Sequence, residues 1–116
     1  MQVLVASVAD FLLMKSYALA GRDKPKDAYD LCYCLDHDPA GIEALARSWR
    51  ARRDDPLVAG AIEHLREKFA TVTSYGPRQV AAFYDATSRA EREMHARRAF
   101  ELVVRLLVLV GRGPAE

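Results

Sequence analysis

The sequence is poor in the residues that staple, metallate or anchor a small protein. It holds two cysteines, three histidines and one tryptophan, and its 17 Lys and Arg against 16 Asp and Glu leave a net charge of only +1. Near-neutrality excludes a global pull toward nucleic acid or an anionic membrane, so any basic site must be local. Cys32 and Cys34 lie two apart, which on one helix sends their side chains to different faces and argues against a mutual disulfide. Together with His37 they lack a fourth ligand and a recognised zinc spacing, so no metal is expected on them. With no secretory-type opening segment either, a reducing cytoplasmic setting is expected. Long hydrophobic runs are missing too. The longest, Leu102 to Val110, is nine residues and is broken by Arg105, against the roughly 20 needed to cross a bilayer. No membrane is expected as a partner.

What is present suits a helical domain. Half the residues are apolar and 28% are charged, an ordinary globular balance in which a chain of this size buries roughly two-thirds of its unfolded surface. One domain is expected over residues 1–116. Gln2 to Val5 is a brief apolar run of strand type. Ser7 with Asp10 is a capping-box-like start for a helix from Val8 to Ala20, ended by Gly21 at the C′ position. Pro25 suits the first turn of a second helix to about Leu35, with Ala28, Leu31, Cys32 and Leu35 as its core face. Asp38-Pro39 signals a third helix, with Ile42, Leu45, Ala46 and Trp49 inward. Asp55-Pro56 opens a fourth, with Val58, Ala61, Ile62, Leu65 and Phe69 inward. Thr71 to Pro77 reads as a loop and Arg78 to Asp85 as a short helix. Ser88 with Glu91 then caps a long helix that runs to Val110 and stops at Gly111. The fold class is all-α, a bundle of five to six helices with at most one short N-terminal strand.

One segment departs from scaffold. On the first helix the apolar face is read as Val8, Phe11, Leu12, Ala18 and Leu19, and Lys15 falls in its middle. An ammonium there must snorkel, meet a carboxylate or point into a cavity. The short turn from Gly21 to Lys24 makes the first two helices neighbours, and Lys15 lies roughly 9 Å back from it at about 1.5 Å per residue. Asp30 lies a similar distance along the second helix, with Asp27 a turn nearer the hairpin. Lys15 is expected to approach Asp30 or, failing that, Asp27. Such a pair is either a staple that fixes the hairpin or part of a site. Arg22, Lys24 and Lys26 crowd the same turn before a helix N-terminus, which is either a phosphate cradle or a solvated charged turn.

The pattern K-x-x-A-L-x-x-R-x-K-P-K-D-x-Y-D, Lys15 to Asp30, resembles the nucleotidyltransferase-like family of the AbiEii/AbiGii toxin type, within the DNA polymerase β-like superfamily. Phe69 to Phe83, F-A-T-V-T-S-Y-G-P-R-Q-V-A-A-F, is similar to a loop-and-helix segment of one branch. The resemblance implies that Lys15 and Asp27 are catalytic-site residues, Lys15 binding nucleotide phosphate or shaping the site and Asp27 supporting catalysis. Tyr29 and Asp30 would support from behind, while Arg22, Lys24 and Lys26 are candidates to bind nucleotide from their own place before a helix N-terminus. It also implies Mg2+ and a nucleoside triphosphate for the complete family protein. That family holds its metal on an Asp-x-Asp pair after a Gly-Ser turn on a strand. Only fourteen residues precede Lys15 and none match it. Asp36-His37-Asp38 has the letters but neither the glycine turn nor the strand.

The expectation is therefore the C-terminal helical portion of such a protein, inactive alone and needing no cofactor of its own, with a separate or missing catalytic half as partner. Its rival is a helical interaction or regulatory module, a toxin–antitoxin accessory in which the lysine–aspartate pair is purely structural. Arg47, Arg50, Arg52 and Arg53 are read as a solvated helix end or, less simply, a tRNA contact. His64 and His95 are expected to be exposed. The apolar first and last helices are the surface expected to carry a homo-oligomer.

Overall fold

The computed structural model describes residues 7–84 and 87–111. Among them are six helices and no strand: α1 Val8–Gly21, α2 Pro25–His37, α3 Gly41–Ala51, α4 Pro56–Lys68, α5 Tyr75–Tyr84 and α6 Arg89–Gly111. The strand-type run Gln2 to Val5 lies outside the described residues. The Ser7 side chain accepts the Asp10 amide at 3.1 Å to open α1, Asp55 accepts the Leu57 amide at 2.9 Å to open α4, and Ser88 accepts the Glu91 amide at 3.1 Å to open α6. Each of these satisfies a first-turn amide that has no acceptor within its own helix.

The core forms where the helical periodicity places it. Ala28, Leu31, Cys32 and Leu35 of α2, Ile42, Leu45, Ala46 and Trp49 of α3, Val58, Ala61 and Leu65 of α4, and Phe69 at its C-cap are all buried, while Ile62 is half-buried against them. Trp49 is fully buried, and its indole Nε1 donates to the Ala9 carbonyl at 3.1 Å, which ties α3 to the start of α1. Along α6, Val103, Leu106 and Val110 are buried while Val108 is 48% exposed, so its apolar C-terminal half keeps one side to solvent.

Four details differ from the sequence expectation. The buried face of α1 is Ala9, Leu12, Leu13, Ser16 and Leu19, with Val8 exposed. The face is rotated because Ser16 is admitted to it, its hydroxyl donating to the Leu12 carbonyl at 2.7 Å; Lys15 then borders the face instead of centring it. Gly21 ends α1 inside the helix, and the cap is Arg22 in extended backbone whose N–H donates to the Ala18 carbonyl; no left-handed residue closes this helix. Helix α3 begins at Gly41, two residues later than Pro39 suggests. Asp38 accepts the Ala40 and Gly41 amides in a tight turn, and Gly41 follows at φ 86°, a left-handed conformation that glycine adopts without cost.

The fourth detail concerns α5, which starts at Tyr75 where a loop is expected. The Pro77 ring is tolerated because a first-turn residue has no intrahelical acceptor to lose. Gly76 is buried beneath the Phe69 ring, and a Cβ there would stand 2.4 Å from Phe69 Cζ. We expect Gly76→Ala to destabilise the protein by about 2 kcal/mol through overpacking, read as a lower urea midpoint. An unchanged midpoint would mean that the Phe69 ring moves aside freely.

Candidate functional site

Three residues, Arg22 to Lys24, join α1 to α2, and this hairpin gathers the charged side chains singled out by sequence. Asp27 is 1% exposed. Its Oδ1 accepts Lys15 Nζ at 3.2 Å and Arg22 Nη2 at 2.9 Å, and its Oδ2 accepts Arg22 Nε at 2.7 Å. The Arg22 contact is thus a two-bonded fork, the strongest common geometry for this pair. Lys15 Nζ also reaches Asp30 Oδ2 at 2.8 Å, and Lys26 Nζ meets the same oxygen at 2.8 Å. The lysine therefore pairs with both carboxylates, Asp30 the nearer.

The charges are held in their ionised forms. The Arg22 fork and, after it, Lys15 outweigh burial at Asp27 and bring its pKa down to about 2. Burial acts against the charge on Lys15, but Asp30 and Asp27 outweigh it and raise its pKa. Burial likewise opposes ionisation of Asp30, and Lys15 with Lys26 reverses it, lowering that pKa. No proton is poised for transfer near neutral pH at any of the three.

A third element fixes the turn. Tyr75 Oη of α5 donates to Asp23 Oδ1 at 2.9 Å, and Gln79 Nε2 donates to the same oxygen at 3.2 Å. Asp23 is thereby engaged. Arg22, Lys24 and Lys26 stay exposed, Arg22 and Lys26 each with one carboxylate partner and Lys24 with no ion pair among the described residues. Lys24 is also the N-cap of α2, and no side chain caps that end. The sequence placed Arg22 in a basic turn without its fork to Asp27, and left Tyr75 and Gln79 unremarked. The spacing Arg22 to Asp27 across a helix start was the available signal for the fork; contacts from α5 leave no local signal.

Tyr29 turns away from the cluster. It stacks on Phe83 at 4.1 Å between centroids and meets Tyr84 edge-on at 5.5 Å, so it joins α2 to α5. His95 is half-buried against Tyr84, stacked at 3.7 Å, and His64 is half-buried edge-on to Tyr17 at 5.0 Å; neither is the exposed histidine expected. The basic end of α3 is also largely engaged. Arg50 and Arg53 donate to the Leu109 and Val110 carbonyls at the end of α6, at 3.3 and 3.4 Å, and Arg52 pairs with Asp10 at 2.9 Å. Cations there complement the helix dipole.

A divalent ion needs open oxygen ligands. Asp27 and Asp30 are already paired with cations, Asp36 pairs with Arg98, and Asp38 accepts the Ala40 amide. Among the described residues no group of three or more His, Cys, Asp and Glu is arranged to hold a metal. Burial pushes the Cys32 thiol up to about 12 and, with Asp38, the Cys34 thiol up to about 11, so neither offers a thiolate near neutral pH. The described residues do not fit a Mg2+ site.

Cavities open among the described residues on the side of α5 and α6. One lies between α5 and α6 and the other between α2, α5 and α6, and neither is lined by Lys15 or Asp27. No described helix is long and apolar enough to cross a membrane.

Comparison with known proteins identifies a family. The model described as "Nucleotidyl transferase AbiEii toxin, Type IV TA system" matches residues 1–105. No curated protein and no solved structure matches the chain. The family match takes in the whole α1–α2 hairpin with its ion cluster and all of the helices α1 to α5. The chain belongs to the AbiEii nucleotidyl transferase toxin family, and so to a toxin–antitoxin context.

Proposed function

We propose that this chain is the helical portion of a nucleotidyltransferase-like toxin–antitoxin protein, catalytically silent by itself, whose α1–α2 turn holds the phosphates of a nucleoside triphosphate. Lys15, Asp27 and Asp30 act by positioning. They lock α1 against α2, and Asp27 orients Arg22 through its fork. Contact with phosphate falls to Arg22, Lys24 and Lys26, with help from the uncapped start of α2. The observation that carries this reading is the split within one cluster: Asp27 is buried between Lys15 and Arg22, while the three turn cations remain exposed beside it. Mg2+ and the transfer chemistry would come from a portion bearing Gly-Ser and Asp-x-Asp, since phosphoryl chemistry rests on metal positioning. The setting is the cytoplasm, where such triphosphates are abundant.

A second reading is favoured by one observation. Lys15 is satisfied on two carboxylates and lines neither of the two cavities beside α5 and α6, as a purely structural staple in a helical interaction module would be. Calorimetric titration of ATP, CTP, GTP and UTP with Mg2+ separates the two. Wild type should bind at least one triphosphate in the micromolar to millimolar range, and Lys24→Ala with Lys26→Ala should weaken it about fivefold to tenfold. Absence of binding by all four nucleotides, or binding indifferent to the double variant, leaves the interaction module as the better account.

A further inference from the structure

A second concentration of positive charge lies away from the hairpin. A groove of about 590 Å³ runs between α5 and the first half of α6, and its lining includes Arg78, Arg89, Arg92 and Arg97 with Glu93 as the one acid. These five give +3, whereas the whole chain sums to +1. The remainder of the protein is therefore net negative, and the groove stands out as an electropositive strip on it.

The spacing of the walls says what shape fits. Arg78, Ala81 and Ala82 recur at three and four residues on α5, and Arg89, Glu93, Ala96 and Arg97 do so on α6. From Arg89 to Arg97 the α6 wall runs roughly 12 Å at about 1.5 Å per residue, or a little over two turns. Alanines make the floor, with Ala81 and Ala96 buried to 7% and 9% exposure. Small floor residues let another backbone approach closely, at the 8–10 Å typical of packed helices. Arginines form the rim. Arg89 is held only by an exposed pair with Glu93 at 2.9 Å, a contact of the kind that competes poorly with a better carboxylate partner. Arg78 and Arg97 make no ion pair among the described residues, and both are exposed.

We propose that this groove docks an acidic amphipathic helix of a partner protein, its small apolar face on the alanine floor and its flanking carboxylates on Arg78, Arg89 and Arg97. A single-stranded nucleic acid is disfavoured by the lining. Such ligands are held by aromatic side chains on which bases stack, and no aromatic residue lines the groove. Arginine forks match carboxylates two-bonded, and an apolar face at helical spacing uses the floor that a phosphate chain would leave empty.

The test is fluorescence anisotropy with a labelled synthetic helix of about sixteen residues, alanine and leucine on one face and glutamate on its flanks. A twin carrying lysine for glutamate and a single-stranded oligonucleotide of equal negative charge serve as comparators. The acidic helix should bind wild type in the micromolar range, more tightly than the oligonucleotide. Arg78→Glu with Arg97→Glu should weaken it at least about tenfold and let the lysine twin bind in its place. Arg47→Glu with Arg66→Glu, the same charge change outside the groove, should leave binding nearly intact. Circular dichroism confirms that both double variants are folded. The proposal is overturned if the two double variants lose binding equally, if the oligonucleotide binds more tightly than the helix, or if the acidic helix fails to bind at about 1 mM.

Discussion

Asp27→Ala should destabilise the protein by about 3 kcal/mol, whereas Lys15→Met should cost about 1 kcal/mol or less. The asymmetry follows from the cluster's geometry. Asp27 is 1% exposed and is the only carboxylate among the described residues that Arg22 pairs with. Removing it leaves Lys15, whose side chain is 14% exposed, with one carboxylate shared with Lys26. Removing Lys15 instead leaves Asp27 still forked by Arg22, and a methionine stem covers the same apolar edge without a charge to desolvate. Urea denaturation of the two variants reads the difference, and equal losses would contradict it. Acid gives an independent reading. Because the folded pKa of Asp27 is depressed from 3.8 to about 2, its contribution is fully present above pH 4 and is lost as pH falls toward and through 2. At 1.36 kcal/mol per unit this amounts to about 2 kcal/mol. Asp27→Ala should remove that part of the acid sensitivity, so its stability curve should run flatter than wild type between about pH 4 and 2.

Trp49→Ala should be still more damaging, costing about 4 kcal/mol. The indole is fully buried, and its Nε1 donates to the Ala9 carbonyl near the start of α1. Truncation opens a cavity and also frees that carbonyl from its donor. Trp49→Phe separates the two effects. It keeps most of the ring volume and loses the hydrogen bond, so it should cost about 1–2 kcal/mol. Thermal unfolding measures both. A loss below about 1 kcal/mol for Trp49→Ala would mean that α1 and α3 collapse onto the vacated space.

What sequence could and could not give divides by range. The core faces of α2, α3 and α4 were legible because burial of an amphipathic helix writes a three-and-four spacing directly into Leu31, Leu35, Leu45, Trp49, Val58 and Leu65. Caps at Ser7, Asp55 and Ser88 were legible because they act within four residues. The meeting of Lys15 with Asp27 and Asp30 was also within reach, since a short turn fixes which turns of two adjacent helices face each other. The rotation of α1 was not, because a serine that returns its hydroxyl to the Leu12 carbonyl reads as polar to any hydropathy pattern. Gly76-Pro77 misled for a different reason. A breaker pair looks the same whether it ends a helix or sits in its first turn, and only the Phe69 ring over Gly76 decides. Contacts across the bundle, such as Tyr75 and Gln79 on Asp23 or Arg50 and Arg53 on the end of α6, depend on tertiary placement that no local spacing encodes.

The central claim is that the α1–α2 turn is the phosphate-facing edge, set in place by a buried cluster that does not itself touch the ligand. Amide chemical-shift mapping with nucleoside triphosphate and Mg2+ tests this most directly. The account predicts shifts concentrated at Arg22, Asp23, Lys24, Lys26 and Asp27, and their loss in Lys24→Ala with Lys26→Ala. Shifts confined to the arginine groove of α5 and α6, or none at saturating nucleotide, would contradict it.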